Sequence, residues 1–305
     1  MQLPASMNYI AVNGFGGAER LQMQSTAVPQ PGDRQVLIRV AAAGVNRADI
    51  LQREGKYAPP AGASDILGLE VSGEIIAVGT NVEQFRAGDM VCALLPGGGY
   101  AEYAVADVGC CLPIPDGVSI TDAAGIPEVA FTAYSNLVMQ ANMRPNETVL
   151  IHAGASGVGS FAIQMAHAMG ARVIATVGAA EKEIFCKDLG AETVIHYHAE
   201  DFLPAVQRAA GNRGVDVILD MLGGAATEKN LELLATGGRL LIIACPDGAK
   251  AQLNLVKLMQ KRLQLHGTTL RSRPLIEKAE IAARLKADVW PLFAQGKLRP
   301  VTYQT

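Results

Sequence analysis

The segment of this chain with the clearest chemical potential is Ala153-Gly154-Ala155-Ser156-Gly157-Val158-Gly159. It follows Thr148-Val149-Leu150-Ile151-His152, an apolar run with the composition of a buried strand, and precedes Ser160 to Met169, where apolar residues recur at helical spacing. Strand, small-residue turn and helix in that order suit the pyrophosphate of a dinucleotide. The turn lets the backbone approach closely, and the helix N-terminus offers free N–H groups and a favourable dipole. Ser156 stands where the fingerprint has its second glycine; it is small enough to keep the approach, and its hydroxyl is expected beside the phosphates. Gly154, Ala155, Ser156, Gly157 and Val158 are the expected phosphate contacts, against the alternative of a plain glycine-rich connector.

Cofactor choice is expected at the end of the second strand, where NAD-preferring proteins place an acid about 20 residues on. Thr176-Val177-Gly178-Ala179-Ala180 holds no acid. Gly178 leaves the position open, and Lys182, a turn further on, has the charge to neutralise a 2′-phosphate. NADPH is therefore the expected cofactor, with Glu181 as the one opposing signal.

The elements that position this turn come in two textures. From Met7 to Pro127 the chain is rich in Gly and Pro, with short β-branched segments such as Gln35–Val40 and Val71–Val78 set between turn signals, the pattern of a small barrel-like β domain. From Ala130 to Thr269, apolar strands alternate with helical patterns: Thr148–His152, Arg172–Thr176, Val215–Asp220 and Arg239–Ile243, with helices over Ser160–Met169 and Glu181–Leu189 that each stop at a glycine. This predicts an α/β fold with a doubly wound parallel sheet.

Composition excludes several other functions. Charged residues make up 18% of the 305 residues and the net charge is -3, which leaves no basic footprint for nucleic acid or an anionic membrane. No apolar run reaches the roughly 18 residues of a membrane span. Met1 to Met7 lacks the features of a secretory signal, so the cytoplasm is the expected location. Five scattered cysteines with no Cys-x-x-Cys fit reduced thiols, and Cys110-Cys111 reads as buried packing.

The β-rich texture, the phosphate turn, and the strings Gly44-Val45-Asn46-Arg47-Ala48-Asp49, Gly55-Lys56-Tyr57, Gly68-Leu69-Glu70-Val71-Ser72-Gly73 and Leu270-Arg271-Ser272-Arg273 together resemble the quinone oxidoreductase (zeta-crystallin-like) branch of the medium-chain dehydrogenase/reductase superfamily. The resemblance runs from about Met7 to Val301. It implies a GroES-like catalytic domain over 1–128 completed by 271–305, a Rossmann domain over 129–270, an active site in the cleft, and a homodimer through the sheet edge near Leu263–Thr268. The family pattern continues beyond the Pro300-Val301 equivalent with a helix and a closing strand, whereas this chain stops at Thr305.

Zinc-dependent relatives place a cysteine near Asn46 and a histidine at Leu69, and carry a cysteine cluster absent from the stretch between Gly88 and Leu112; no metal is expected. Without a Lewis acid, the suited substrates are those whose electronics accept hydride, quinones and activated double bonds. By resemblance, Tyr57 flanks a planar substrate and its hydroxyl meets the developing oxyanion. Asn46 orients nicotinamide, ribose or substrate, and Asp49 is structural. Thr132 lies near the nicotinamide, and Tyr197, with His196 before it, near the adenosine 2′-phosphate. Leu222-Gly223, Ile243-Ala244 and Leu270, Arg271 and Arg273 enclose the dinucleotide. The expected activity is NADPH-dependent reduction of a quinone, with reduction of an enoyl or alkenal C=C, or NADPH binding without catalysis, as alternatives.

Overall fold

The computed structural model describes residues 3–305 and divides into two compact units: the chain through Phe131 together with Arg271–Thr305, and Thr132–Leu270. Each is described by itself.

The first unit opens with an antiparallel pair, β1 (Ser6–Val12) and β2 (Leu21–Ala27). β3 (Gln35–Ala43) leads into α1 (Arg47–Arg53), followed by β4 (Glu70–Val78), β5 (Met90–Leu94), β6 (Tyr103–Asp107) and β7 (Cys111–Pro113). The last five strands named form an antiparallel sheet in the order β6-β3-β4-β5-β7. Val36, Ile38, Val71, Ile75, Val91 and Ala93 fill its inner face. Register shifts between Leu37 and Ile38 and between Val40 and Ala42 curl the β3–β4 pair, as bulges do. Cys110 and Cys111 are buried free thiols in this unit. The short α2 (Ile120–Ala123) is capped by the Ser119 hydroxyl, and α3 (Pro127–Tyr134) crosses from one unit into the other and continues as a π-helical turn over Ser135–Gln140.

The second unit carries a six-stranded parallel sheet in the order β10-β9-β8-β11-β12-β13, formed by β8 (Thr148–Ile151), β9 (Arg172–Val177), β10 (Thr193–His196), β11 (Val215–Asp220), β12 (Leu234–Ile242) and β13 (Gln264–Gly267). The helices α4 (Gly157–Ala168), α5 (Glu181–Asp188), α6 (Phe202–Ala210), α7 (Ala226–Leu233) and α8 (Leu255–Lys261) connect them. Every residue of β8 and β11 is buried, which is why these strands read as continuous apolar runs without alternation. α4 is apolar nearly all round, with Gly159 through Ala166 buried, so packing rather than a polar face holds it. β12 starts five residues before the apolar run Arg239–Ile243, because Gly237 takes φ +78° and lets the strand pass through two glycines.

His152, directly after β8, is fully buried. Its Nδ1 lies 3.0 Å from Thr176 Oγ1 on β9 and its Nε2 lies 2.8 Å from Asn230 Oδ1 on α7. The Asn230 oxygen only accepts, so Nε2 carries the proton and Nδ1 accepts from the threonine hydroxyl. Burial lowers the imidazole's pKa and keeps it neutral.

The chain returns to the first unit with α9 (Leu275–Asp288) and α10 (Trp290–Ala294), anchored there by the Trp290 indole N–H, which donates to the Pro113 carbonyl at 2.7 Å. No helix among the described residues is long and apolar enough to cross a membrane.

Candidate active site

In the second unit the phosphate turn has the predicted order of strand, turn and helix. Ser156 is the N-cap of α4, and its Oγ accepts the Gly159 N–H at 3.1 Å. The hydroxyl expected at the phosphates thus holds the helix start, which is also why α4 begins at Gly157 rather than Ser160. The Ser160 N–H bonds the Ser156 carbonyl. The N–H groups of Gly157 and Val158, the first two of the helix, have no residue in the turn behind them to bond, and these are the donors an anion would meet. A Cβ on Gly159 would lie 2.4 Å from the Ala153 carbonyl oxygen, and Ala153 itself takes φ +49°. The turn is folded so tightly that only glycine fits at its end.

At the end of β9, Gly178 sits beneath Tyr197, whose hydroxyl would lie 2.6 Å from a Cβ there. Tyr197 is 38% exposed and its ring packs at 4.5 Å from that of His198. Lys182 is exposed in the first turn of α5 beside the equally exposed Glu181, and Gly178 to Ala180, directly after β9, carry no acid. Asp220, at the end of β11, accepts the N–H groups of Leu222 at 2.7 Å and Gly223 at 3.2 Å, which shapes that loop. Ile243 continues from β12 through its N–H to the Asp220 carbonyl, Ala244 after it is exposed, and Leu270 is half-buried at the unit's last residue. Thr132 is half-buried at the first residue of the unit, its carbonyl accepting from Asn136 Nδ2 at 2.8 Å. These residues share one unit and cluster at the carboxyl ends of the strands, where an open parallel sheet binds ligands. A reduced dinucleotide fits this donor set and this glycine cradle.

The first unit holds a cluster of buried ionisable groups. Asn46 precedes α1, and its backbone N–H donates to Asp49 Oδ2 at 2.9 Å. Asp49 also accepts from the Gly68 N–H at 2.9 Å and from the Tyr100 hydroxyl at 3.2 Å, a structural role as the sequence reading has it. The Asn46 amide nitrogen donates to Glu70 Oε1 at 2.8 Å, and the Glu128 backbone N–H donates to Glu70 Oε2 at 2.8 Å. Glu70 is 2% exposed. Burial pushes its carboxyl up to about 7, against the pull of those two donors. Glu128, in the first turn of α3, is pushed up to about 8 by burial and by the repulsion of Glu70 and Asp49.

Tyr57 is half-buried, and its hydroxyl is held above the ordinary range by desolvation. The Arg271 guanidinium lies over its ring, with Cζ 5.4 Å from the centroid. Arg271, one of the residues expected around the dinucleotide, belongs to the first unit and lies against Tyr57. Arg273 is half-buried and pairs with Glu277 at 3.8 Å, one helical turn along.

Sequence reasoning gave Glu70 and Glu128 no role. The available signals were an acid directly after a buried Leu69 and an acid in the first turn after Pro127, both of which pass for ordinary helix and strand residues.

A family model described as "Alcohol dehydrogenase GroES-like domain" matches residues 32–116, and one described as "Zinc-binding dehydrogenase" matches residues 157–286. A quinone oxidoreductase of Lama guanicoe is 36% identical over 297 residues, covering 97% of this chain and 88% of its own length. The chain belongs to the medium-chain dehydrogenase/reductase superfamily, in its quinone oxidoreductase branch. Among solved structures of this superfamily, the quinone oxidoreductase of Escherichia coli, complexed with NADPH, superposes with a TM-score of 0.83 at 28% identity, covering 97% of this chain and 90% of that one. The CurK enoyl reductase gives 0.84 at 27% identity, covering 99% and 92%. The zinc in the second family model's description does not fit the residues present. Asn46 spends its amide nitrogen on Glu70 and Leu69 is an apolar side chain at 1% exposure, so neither supplies the thiolate or imidazole of such a zinc site.

Proposed function

We propose that this member of the superfamily is a metal-free reductase that uses NADPH to reduce a quinone by two electrons. The observation that carries the cofactor half of this reading is the second unit's glycine turn, with its free Gly157 and Val158 N–H groups, joined to an acid-free β9 end at Gly178 where Tyr197 and Lys182 stand. An adenosine 2′-phosphate meets no like charge at Gly178, and Lys182 supplies the cation. Thr132, Leu222, Gly223, Ile243, Ala244 and Leu270 line the remainder of the dinucleotide in this reading. The bound nicotinamide supplies the hydride; the protein binds, orients and dries the reacting groups.

The acceptor half rests on relatives named quinone oxidoreductase and on the Tyr57 ring, a flat apolar surface of the kind that holds a planar substrate. The likeness to the CurK enoyl reductase favours a second acceptor class, an activated C=C, handled by the same residues. Oxidation of NADPH and of NADH, each followed against a panel of quinones and a panel of enones, tests all of this. The expected result is turnover with NADPH and quinones. Preference for NADH overturns the cofactor assignment, turnover on enones alone selects the second reading, and tight NADPH binding with no turnover on either panel leaves a binding protein without catalysis.

The reading includes a homodimer formed through β13, the outer strand of the parallel sheet. Light scattering after size exclusion is expected to give twice the 32.0 kDa chain mass; a monomer mass overturns it.

A further inference from the structure

Arg271 is 6% exposed, yet only part of its guanidinium is paired. Nε donates to the Pro96 carbonyl at 2.8 Å, while Nη1 and Nη2 are buried without a hydrogen-bond partner. Its backbone carbonyl is held in turn by the Lys278 ammonium at 2.7 Å. A guanidinium has five N–H donors and no acceptor, and a buried donor left unpaired loses its hydration without return. Such a group in a native fold calls for a specific cause, and a functional role at a site is one of them.

The surroundings define the ligand. The cation covers one face of Tyr57. Asp49 and Glu128 act on it electrostatically as acids and Lys278 as a second cation, but no carboxylate oxygen reaches the two Nη atoms. Glu128 keeps its proton to about pH 8, so the guanidinium and the Lys278 ammonium outweigh the ionised acids around them, and negative charge that builds up on a ligand here is favoured. The site suits a planar group that only accepts hydrogen bonds, arrives neutral and becomes negative during the reaction. A ketone oxygen conjugated to a ring has all three properties.

We propose that the two terminal nitrogens of Arg271 hold the carbonyl oxygen of the hydride acceptor and stabilise the negative charge that forms there; this rests on the quinone reductase reading. The quinone receives one hydride, two electrons with one hydrogen, from the reduced nicotinamide. One oxygen is left as an oxyanion, and a proton from water then neutralises it. In sum, quinone, reduced cofactor and one proton give hydroquinone and oxidised cofactor. Charge-assisted N–H···O⁻ bonds that strengthen as charge develops lower the barrier to that step. Arg271 is thereby a catalytic residue of the acceptor site.

The probe is 4-nitrophenolate, an aromatic oxyanion that needs no turnover, titrated by absorbance into protein saturated with NADP+. The wild type is expected to bind it and to keep the bound ring ionised at a pH where the free phenol is protonated. Arg271→Met is expected to weaken binding by tenfold or more and abolish the shift, with Arg271→Lys between the two, while circular dichroism and NADP+ affinity stay unchanged. Equal affinity in the wild type and Arg271→Met overturns the proposal. If Arg271→Met does not fold, the wild-type spectrum decides alone, and a bound phenol that ionises as it does in water overturns it. Quinone turnover that survives in Arg271→Met rejects the oxygen site and leaves the reductase reading intact. Phenolate binding that depends on Arg271 in a protein without quinone turnover does the reverse.

Discussion

The glycine turn is built from seven consecutive residues, Ala153 to Gly159, whereas the carboxylate cluster around Glu70 gathers Asn46 and Asp49 from the start of α1, Tyr100, and Glu128 from α3. The first offers backbone donors, fixed by local conformation and indifferent to pH. The second consists of side chains whose charge depends on burial and on one another. The turn therefore fails when its backbone geometry changes, and the cluster fails when a partner or a proton is removed.

The largest expected effect tests the turn. Gly159→Ala sets a methyl against the Ala153 carbonyl oxygen, which would lie 2.4 Å away, and neither backbone segment can yield without opening the helix start. NADPH affinity, followed by quenching of protein fluorescence, is expected to fall by about 100-fold or more, equivalent to roughly 3 kcal/mol; affinity within a few-fold of wild type would show that the turn does not hold the phosphates.

Next comes the cluster. Glu70→Ala leaves the Asn46 amide and the Glu128 N–H without an acceptor in a buried site, and is expected to cost about 2–4 kcal/mol in urea unfolding. Glu70→Gln, which keeps an amide oxygen for one of the two donors, is expected to cost less. Equal losses would show that neither side-chain volume nor one retained acceptor sets the value of the site.

A smaller effect follows from protonation. Glu70 and Glu128 hold their protons more tightly when folded, at about 7 and about 8 against the ordinary 4.5, so the folded chain binds more protons than the unfolded one across that interval. Their contribution is complete below about pH 4.5 and is lost as pH rises through 7 and 8, on the order of 1 kcal/mol per pH unit for each carboxyl. Urea midpoints are expected to fall between pH 5.5 and 8, and Glu128→Gln to flatten the upper part of the slope. A midpoint that rises over this range would mean that the carboxylates are ionised and paired.

The smallest effect returns to the turn. Ser156→Ala removes the cap on α4 and is expected to cost about 1 kcal/mol of stability, read from the shift in the thermal midpoint, with NADPH affinity reduced only a few-fold. A loss of affinity far beyond the loss of stability would assign Ser156 a direct phosphate contact.

The same comparison explains what was legible in the sequence. Val215–Asp220 is a strand in both readings because a fully buried parallel strand has a continuous apolar signature that needs no knowledge of its neighbours. Gly154 to Gly159 is legible for the same reason: its conformation is encoded in its own residue types. Arg271 was not, because two arginines in Leu270-Arg271-Ser272-Arg273 look alike until the fold buries one against Tyr57 and pairs the other with Glu277. Glu70 and Glu128 lie 58 positions apart, and only the fold makes one the acceptor of the other's N–H. Ser156 caps α4, a role that its residue type alone does not separate from a ligand contact, since one hydroxyl serves either.

His152 gives the turn one further property. With its ring tied to Thr176 on one side and Asn230 on the other, the last residue before the turn is fastened to a strand and to a helix at once. A loop anchored this firmly at its root has little freedom left to lose when a dinucleotide arrives, so the ordering entropy that a floppy glycine segment would give up on binding has already been spent in folding. The neutral imidazole ties the root of the turn into one shape.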